Sequence, residues 1–311
     1  LFETYQATRD FVPEVVVAVG GGSILDVGKS LCCLYGTDLP DADSLRRLIE
    51  EKSYGHPAAR WIGVPTTAGT GSEVTCWATI WDPERDAKRS VECRENYAFA
   101  ALVDPELAAG MPVTLAVSSA LDAAAHAVES YWAKGTNAVS RGLALEAIRT
   151  IMGHMDGLLA GTMEAHEAMA RGSMLAGLAF SNTKTTACHS ISYPLTMHCG
   201  IPHGAAVSML LGPVFQLNAQ ALSRPEPLLD ALGVSSPKEL AEKVCGILRR
   251  SGQPATLKEW GTQREELPRL ARLGMTKGRA DNNPVPIEPA TILSILEQIY
   301  DSSCKLTRKG A

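Results

Sequence analysis

The chain has 311 residues, 45% hydrophobic and 20% charged, the make-up of a soluble globular protein with room for two cored domains. A formal net charge of -5 and a pI near 5.9 leave no basic surplus, which argues against a nucleic-acid partner. No apolar run approaches the roughly 18 residues of a membrane span, and the opening LFETYQATRDF is amphipathic, not a signal peptide.

Val15 to Val19, written VVVAV, is a continuous β-branched run of the kind a strand buried on both faces shows. It ends in Gly20-Gly21-Gly22-Ser23, and ILDVGKSLCCLYG then reads as a helix closed near Gly36. A second strand, WIGV from Trp61, runs into the loop PTTAGTGSE, and WATIWD and AALVD suggest further strands. Strand and helix alternate, so residues 1–112 read as an α/β domain. From residue 113 long Ala-, Leu- and Met-rich stretches recur at helical spacing, and residues 113–311 read as an all-helical domain. A dinucleotide-binding domain usually opens on a strand, whereas this chain opens on a helix; its first strand-helix unit is expected to be absent. The eight cysteines (Cys32, Cys33, Cys76, Cys93, Cys188, Cys199, Cys245 and Cys304) form no CxxC and no zinc-finger spacing, and are expected to be reduced thiols.

Three glycines between a buried strand and a helix start suit a pyrophosphate, because the backbone can be approached closely and the helix end offers free N–H groups. Ser23 can cap that helix and donate to a phosphate oxygen. The pattern is not GxGxxG, so the usual dinucleotide fingerprint is not met. A tight structural turn is the competing reading. The second loop adds Thr66, Thr67, Thr70 and Ser72, and two such loops at strand ends point to a phosphorylated cofactor.

In LDAAAHAVES, Asp122 and His126 lie four apart on one helix face with only alanine between them. Such a pair is ordinarily a surface contact. His189, His198 and His203 cluster downstream, where Pro194 and the Gly200-Ile201-Pro202 turn break the chain and His203 opens a helix. One Asp and three His can bind a divalent ion and leave a position open for substrate. His56, His154 and His166 read as structural.

These pieces together resemble the iron-containing (group III) alcohol dehydrogenases. VGGGSILDVGK resembles their GGGSxxDxxK loop, PTTAGTGSEVT their second loop, and DAAAHAVES their DxxxH helix; His189 and His203, fourteen apart, match the two remaining ligands. The resemblance implies an NAD- or NADP-dependent interconversion of an aldehyde and a primary alcohol, while the reduced thiols point to a cytoplasmic protein. Fe2+ or Zn2+ would be held by Asp122, His126, His189 and His203. It further implies that Gly21, Gly22 and Ser23 meet the pyrophosphate with Asp26 nearby, that Thr66, Thr67 and Thr70 line the cofactor path, and that Lys88 approaches the nicotinamide. The family commonly has HGxxH at the third ligand; here HSISY puts Tyr193 where a proton-relaying His would stand. An unperturbed tyrosine pKa of about 10 makes it a poorer shuttle, and His198 is a second candidate. SEVTCWATIWD and TKTTACHSISYPLT look most like the branch of phosphonoacetaldehyde reductases, for which Arg89 and Lys184 would supply cations. Other small substrates (lactaldehyde, butanal, 4-hydroxybutyrate) are the alternative. A lyase similar to dehydroquinate synthase and a degenerate cofactor-binding protein are further ones, disfavoured by the DxxxH helix and the intact ligand set. The family resemblance also implies a homodimer.

Overall fold

The computed structural model describes residues 1–11, 13–85 and 87–301. The N-terminal part comprises α1 (Phe2–Thr8), β1 (Val15–Gly20), α2 (Gly22–Leu34), α3 (Ala42–Glu51), β2 (Arg60–Pro65), β3 (Trp77–Asp82), β4 (Ala87–Glu92), β5 (Ala100–Ala101) and α4 (Pro105–Ala109). The rest is helical: α5 (Val113–Trp132), α6 (Ala138–Gly153), α7 (Met155–Leu159), α8 (Met163–Thr183), α9 (Ala187–Cys199), α10 (His203–Asn218), α11 (Glu226–Leu232), α12 (Pro237–Arg250), α13 (Leu267–Leu273) and α14 (Pro289–Gln298). An α/β part thus precedes a helical part.

β1, β2 and β5 form a parallel sheet in that order, with Val15 opposite Arg60 and Ile62 opposite Ala100. β3 and β4 are instead an antiparallel hairpin of their own, so WATIWD forms a strand outside the parallel sheet. β1 also departs from the expectation of burial on both faces. Ala18 packs under α2, but Val15, Val17 and Val19 are 45%, 58% and 55% exposed. In a pleated strand these alternate residues share one face, and among the described residues nothing covers it.

The buried apolar side chains fall into two clusters. One gathers Tyr5, Leu25, Leu34, Trp61 and Val91 around the sheet and α2; the other runs from Ala116 to Ile299 through the helices and takes in Ala68. α5 is the axis of the second, an alanine-rich helix without Gly or Pro whose small side chains let α6, α8 and α10 pack closely on it. α9 continues through Pro194, so that proline does not break the chain as expected; the helix ends at Gly200 in the left-handed region, where glycine carries no steric penalty. Cys32, Cys33, Cys76, Cys93, Cys188 and Cys199 are free thiols. Cys245 is disulfide-bonded, which corrects the expectation there, and Cys304 lies outside the described residues. No described helix is long and apolar enough to cross a membrane.

Candidate metal centre

α5 carries Asp122, His126 and Glu129 at i, i+4 and i+7, one face of one helix, and all three are buried. Burying ionisable groups is costly unless each finds a partner, so their surroundings decide what they do. α9 brings His189 against this face and α10 begins at His203. Gly204 makes the second approach possible: a Cβ there would lie 2.0 Å from the Ser118 carbonyl oxygen of α5. His189 Nε2 lies 3.4 Å and His203 Nε2 3.9 Å from Asp122 Oδ1. The donor atoms of Asp122, His189 and His203 all fall within 4.8 Å of one another. His126 stands beside this group without belonging to it at that distance, its ring stacked between Phe180 at 4.2 Å and His189 at 4.3 Å.

Asp122 Oδ1, His126 Nδ1, His189 Nε2 and His203 Nδ1 are buried and lack a hydrogen-bond partner. Each orphaned buried polar atom costs about 1–3 kcal/mol. One carboxylate and three imidazoles with orphaned atoms, all lining one cavity, are a donor set suited to a divalent transition-metal ion. The protonation states agree. Asp122 is held below its ordinary value because the His126, His203 and His189 rings outweigh the effect of burial. Burial pushes His126 down to about 4 and His203 down to about 3, against the attraction of Asp122, so both rings carry free lone pairs at neutral pH.

His189 is raised instead, burial being outweighed by Glu129 and Asp122. Glu129 is fully buried and accepts from Thr186 Oγ1 at 2.7 Å and from the Cys188 amide at 2.6 Å, while its Oε2 lies 2.5 Å from His189 Nδ1. Despite burial, His189 holds the Glu129 carboxyl below its ordinary value, so it stays ionised. An ionised carboxylate can only accept, which places the proton on Nδ1 and leaves Nε2 facing Asp122. The sequence reading missed Glu129, although its signal was there: it stands three residues after His126 on the Asp122 face.

A cavity of about 750 Å³ connects this cluster with the N-terminus of α2. Gly22 and Ser23 line its far end with Thr70. A Cβ on Gly22 would lie 2.6 Å from Thr70 Cγ2, so the glycine lets the two loops interlock. Gly21 caps α2 behind them, against Thr67. Asp26 lines the cavity, but its carboxylate is engaged: it accepts from Ser72 Oγ at 2.6 Å and the Thr79 amide at 2.9 Å, beside the buried Lys29. Thr66 and Thr67 do not line this cavity. The Thr66 amide donates to Gly20 O, and Thr67 faces a separate small recess with Asp104 and Ser173.

At the metal-cluster end, Lys88 Nζ sits 3.4 Å from the centre of the Tyr193 ring, which is stacked on His203 at 5.9 Å. Burial pushes the Tyr193 hydroxyl up to about 12. His198 is not brought to the cavity: nine residues beyond His189, it points to the opposite side of α9. Arg89, expected beside the substrate, alternates with Lys88 along β4 and pairs with Asp82 and Glu50 on the other face. Lys184 lines the cavity paired with Glu92 at 2.9 Å. Arg279, in the loop after α13, reaches the Tyr193 ring at 5.3 Å; no local sequence signal marks it.

The chain is matched by two family models, "Iron-containing alcohol dehydrogenase" over residues 1–105 and "Fe-containing alcohol dehydrogenase family, C-terminal" over 116–300. It is 30% identical over 293 residues to the lactaldehyde reductase of Escherichia coli K12, covering 91% of this chain and 75% of that one. It is 35% identical over 217 residues to the phosphonoacetaldehyde reductase of Streptomyces viridochromogenes, covering 66% of this chain and 53% of that one. The crystal structure of a sulfoacetaldehyde reductase from Bifidobacterium kashiwanohense in complex with NAD+ superposes with a TM-score of 0.88 at 29% identity, covering 97% of this chain and 80% of that chain.

Proposed function

The chain belongs to the iron-containing alcohol dehydrogenase family, an aldehyde–alcohol oxidoreductase, and on that premise we propose that it is an NAD(P)H-dependent reductase of phosphonoacetaldehyde to 2-hydroxyethylphosphonate, with Fe2+ held by Asp122, His126, His189 and His203. The observation that carries the reading is the set of four orphaned donor atoms at one end of a cavity whose other end is a glycine-opened helix start. Zn2+ suits the same donors. The 35% identity to a phosphonoacetaldehyde reductase and the cations Lys88, Lys184 and Arg279 along the cavity support the substrate. Lactaldehyde or butanal is the second reading, favoured by the longer span matched to the lactaldehyde reductase. The division of labour proposed is cofactor binding by residues 1–112 and metal and substrate binding by 113–311. A cytoplasmic homodimer is the setting proposed, the compartment resting on the cysteine usage and the dimer on the family resemblance.

A bound divalent ion would supply Lewis acidity at the carbonyl oxygen, and a bound nicotinamide the hydride. The chain's own residues do the rest. Gly22, Ser23 and the α2 N-terminus receive a pyrophosphate through free N–H groups. Glu129 keeps the proton of His189 on Nδ1. Tyr193 keeps its hydroxyl proton at neutral pH, so it serves as a donor to a more basic alkoxide and not as a base. Phe180 closes the apolar side of the His126 ring against water.

Anaerobic, iron-loaded protein should oxidise NADH or NADPH with phosphonoacetaldehyde faster than with lactaldehyde, butanal or succinic semialdehyde. Asp122→Ala should lose bound metal and turnover together. Failure to reduce any of the four aldehydes would end the reductase reading; retained metal in Asp122→Ala would end the ligand assignment.

A further inference from the structure

Two basic side chains, Arg279 and Lys88, face the substrate end of the cavity with no carboxylate within ion-pair distance among the described residues. Arg279 Nε is buried with no hydrogen-bond partner, and the guanidinium forms no ion pair with any described residue. Lys88 Nζ has aromatic rings around it, Trp81 at 5.1 Å and Tyr193 at 3.4 Å, and no carboxylate within ion-pair distance among the described residues. Of the other cations lining the cavity, Lys184 is paired with Glu92, while Lys52 and Lys277 are exposed to solvent. Burial and then the Arg279 charge hold Lys88 well below its ordinary value, against the opposing pull of Asp26 and Asp122. A bound anion would favour the protonated lysine and offset that burden.

Arg279 is also held in place. The Thr276 amide donates to Ser190 Oγ at 2.8 Å, and Ser190 Oγ donates to Gly274 O at 2.6 Å, which ties the loop to the residue after His189. On its other side Asn282 Nδ2 donates to the carbonyls of Thr183 and Thr185, at 2.8 and 3.0 Å. The loop that carries Arg279 is thus anchored beside α9, and its guanidinium lies over the same Tyr193 ring that stacks on His203.

We propose that Arg279, with Lys88, is an anion subsite that selects aldehydes carrying a tetrahedral oxyanion a bond or two from the carbonyl, with a dianion preferred because two cations face it. A planar, multiply donating guanidinium reads two oxygens of such a group, and the Lys88 ammonium meets a third. This rests on the reductase reading for its chemistry, but the subsite itself is a property of the cavity.

The test has a kinetic and an equilibrium arm. In Arg279→Gln the ratio of kcat/KM for phosphonoacetaldehyde to that for butanal should fall at least tenfold, mainly through KM; Arg279→Lys should restore part of it. Calorimetric binding of phosphonoacetate to metal-free protein should weaken at least tenfold in Arg279→Gln, and the sulfonate analogue sulfoacetate should bind the parent protein more weakly than phosphonoacetate. An unchanged ratio, or unchanged phosphonoacetate binding, overturns the subsite. So does an Arg279→Gln effect confined to NAD(P)H affinity, which would assign the cations to the cofactor. If the parent protein reduces no aldehyde, the reductase reading fails, while the phosphonoacetate arm still decides the anion subsite.

Discussion

Replacing Glu129 by Gln isolates the charge that orients His189, since the side chain keeps its shape and loses only its ability to accept at both ends. Glu129 Oε1 accepts from Thr186 Oγ1 and the Cys188 amide, and Oε2 meets His189 Nδ1. A glutamine has one acceptor oxygen. If that oxygen serves Thr186 and Cys188, the NH2 faces His189 and can only donate to Nδ1. The imidazole then carries its proton on Nε2, the atom facing Asp122 at 3.4 Å, where a metal would need a lone pair. Returning to the binding tautomer breaks that hydrogen bond, at about 1–3 kcal/mol. At about 1.4 kcal/mol per decade, metal affinity should fall roughly 5- to 150-fold, which brackets the range found when such outer carboxylates are lost. The assay is competition for Co2+ against a chromophoric chelator, with the d–d bands of the bound ion reporting ligand geometry. Urea unfolding of the metal-free protein separates a stability defect from a loss of affinity. Thr186→Val should act more weakly, since Thr186 only relays between Trp132 Nε1 and Glu129 Oε1. A folded Glu129→Gln protein with affinity within twofold of the parent and the same spectrum would refute the tautomer argument.

Two further outcomes test other parts of the cavity. Gly22→Ala places a Cβ 2.6 Å from Thr70 Cγ2, so the interlocked loops must part; NAD(P)H affinity, read by fluorescence titration, should drop at least tenfold while metal affinity holds, and unchanged nucleotide binding would remove these loops from the cofactor seat. On the far side of the hairpin, the Asp82 carboxyl is held below its ordinary value by the hydrogen bond from Arg46 and then by Arg89, against burial. A depressed folded pKa gives stability that is present above the unfolded value of about 4 and is lost as pH falls through the folded one. Asp82→Asn should therefore flatten the fall of the urea midpoint between pH 5 and pH 3, and an identical pH profile in the variant would contradict it.

What could be read from the chain alone follows the range of the interactions involved. The turn from VVVAV into Gly20-Gly21-Gly22-Ser23 and the helix after it is local, and β1 and α2 lie there. Which face of β1 is covered is not local: it depends on what packs beside the strand, and Val15, Val17 and Val19 turned out to be open. The hairpin partner AKRSVE had no apolar alternation to announce it, because β4 puts Lys88 into the cavity and Arg89 into an ion-pair network on the other face. Arg279 was out of reach for the same reason, as nothing near it in sequence refers to Tyr193. Glu129 is the instructive case, because the helical period already placed it with Asp122 and His126. A carboxylate three residues past a histidine on a helix surface is usually a solvated pair, and only full burial gives it another meaning. Burial was itself foreshadowed by the alanines between these residues: an alanine-rich helix of 20 residues with charged groups on one face has little apolar bulk of its own and must be enclosed by its neighbours. Enclosed that way, Asp122, His126 and Glu129 have no water to satisfy them, and the histidines of α9 and α10 are what the fold supplies in its place.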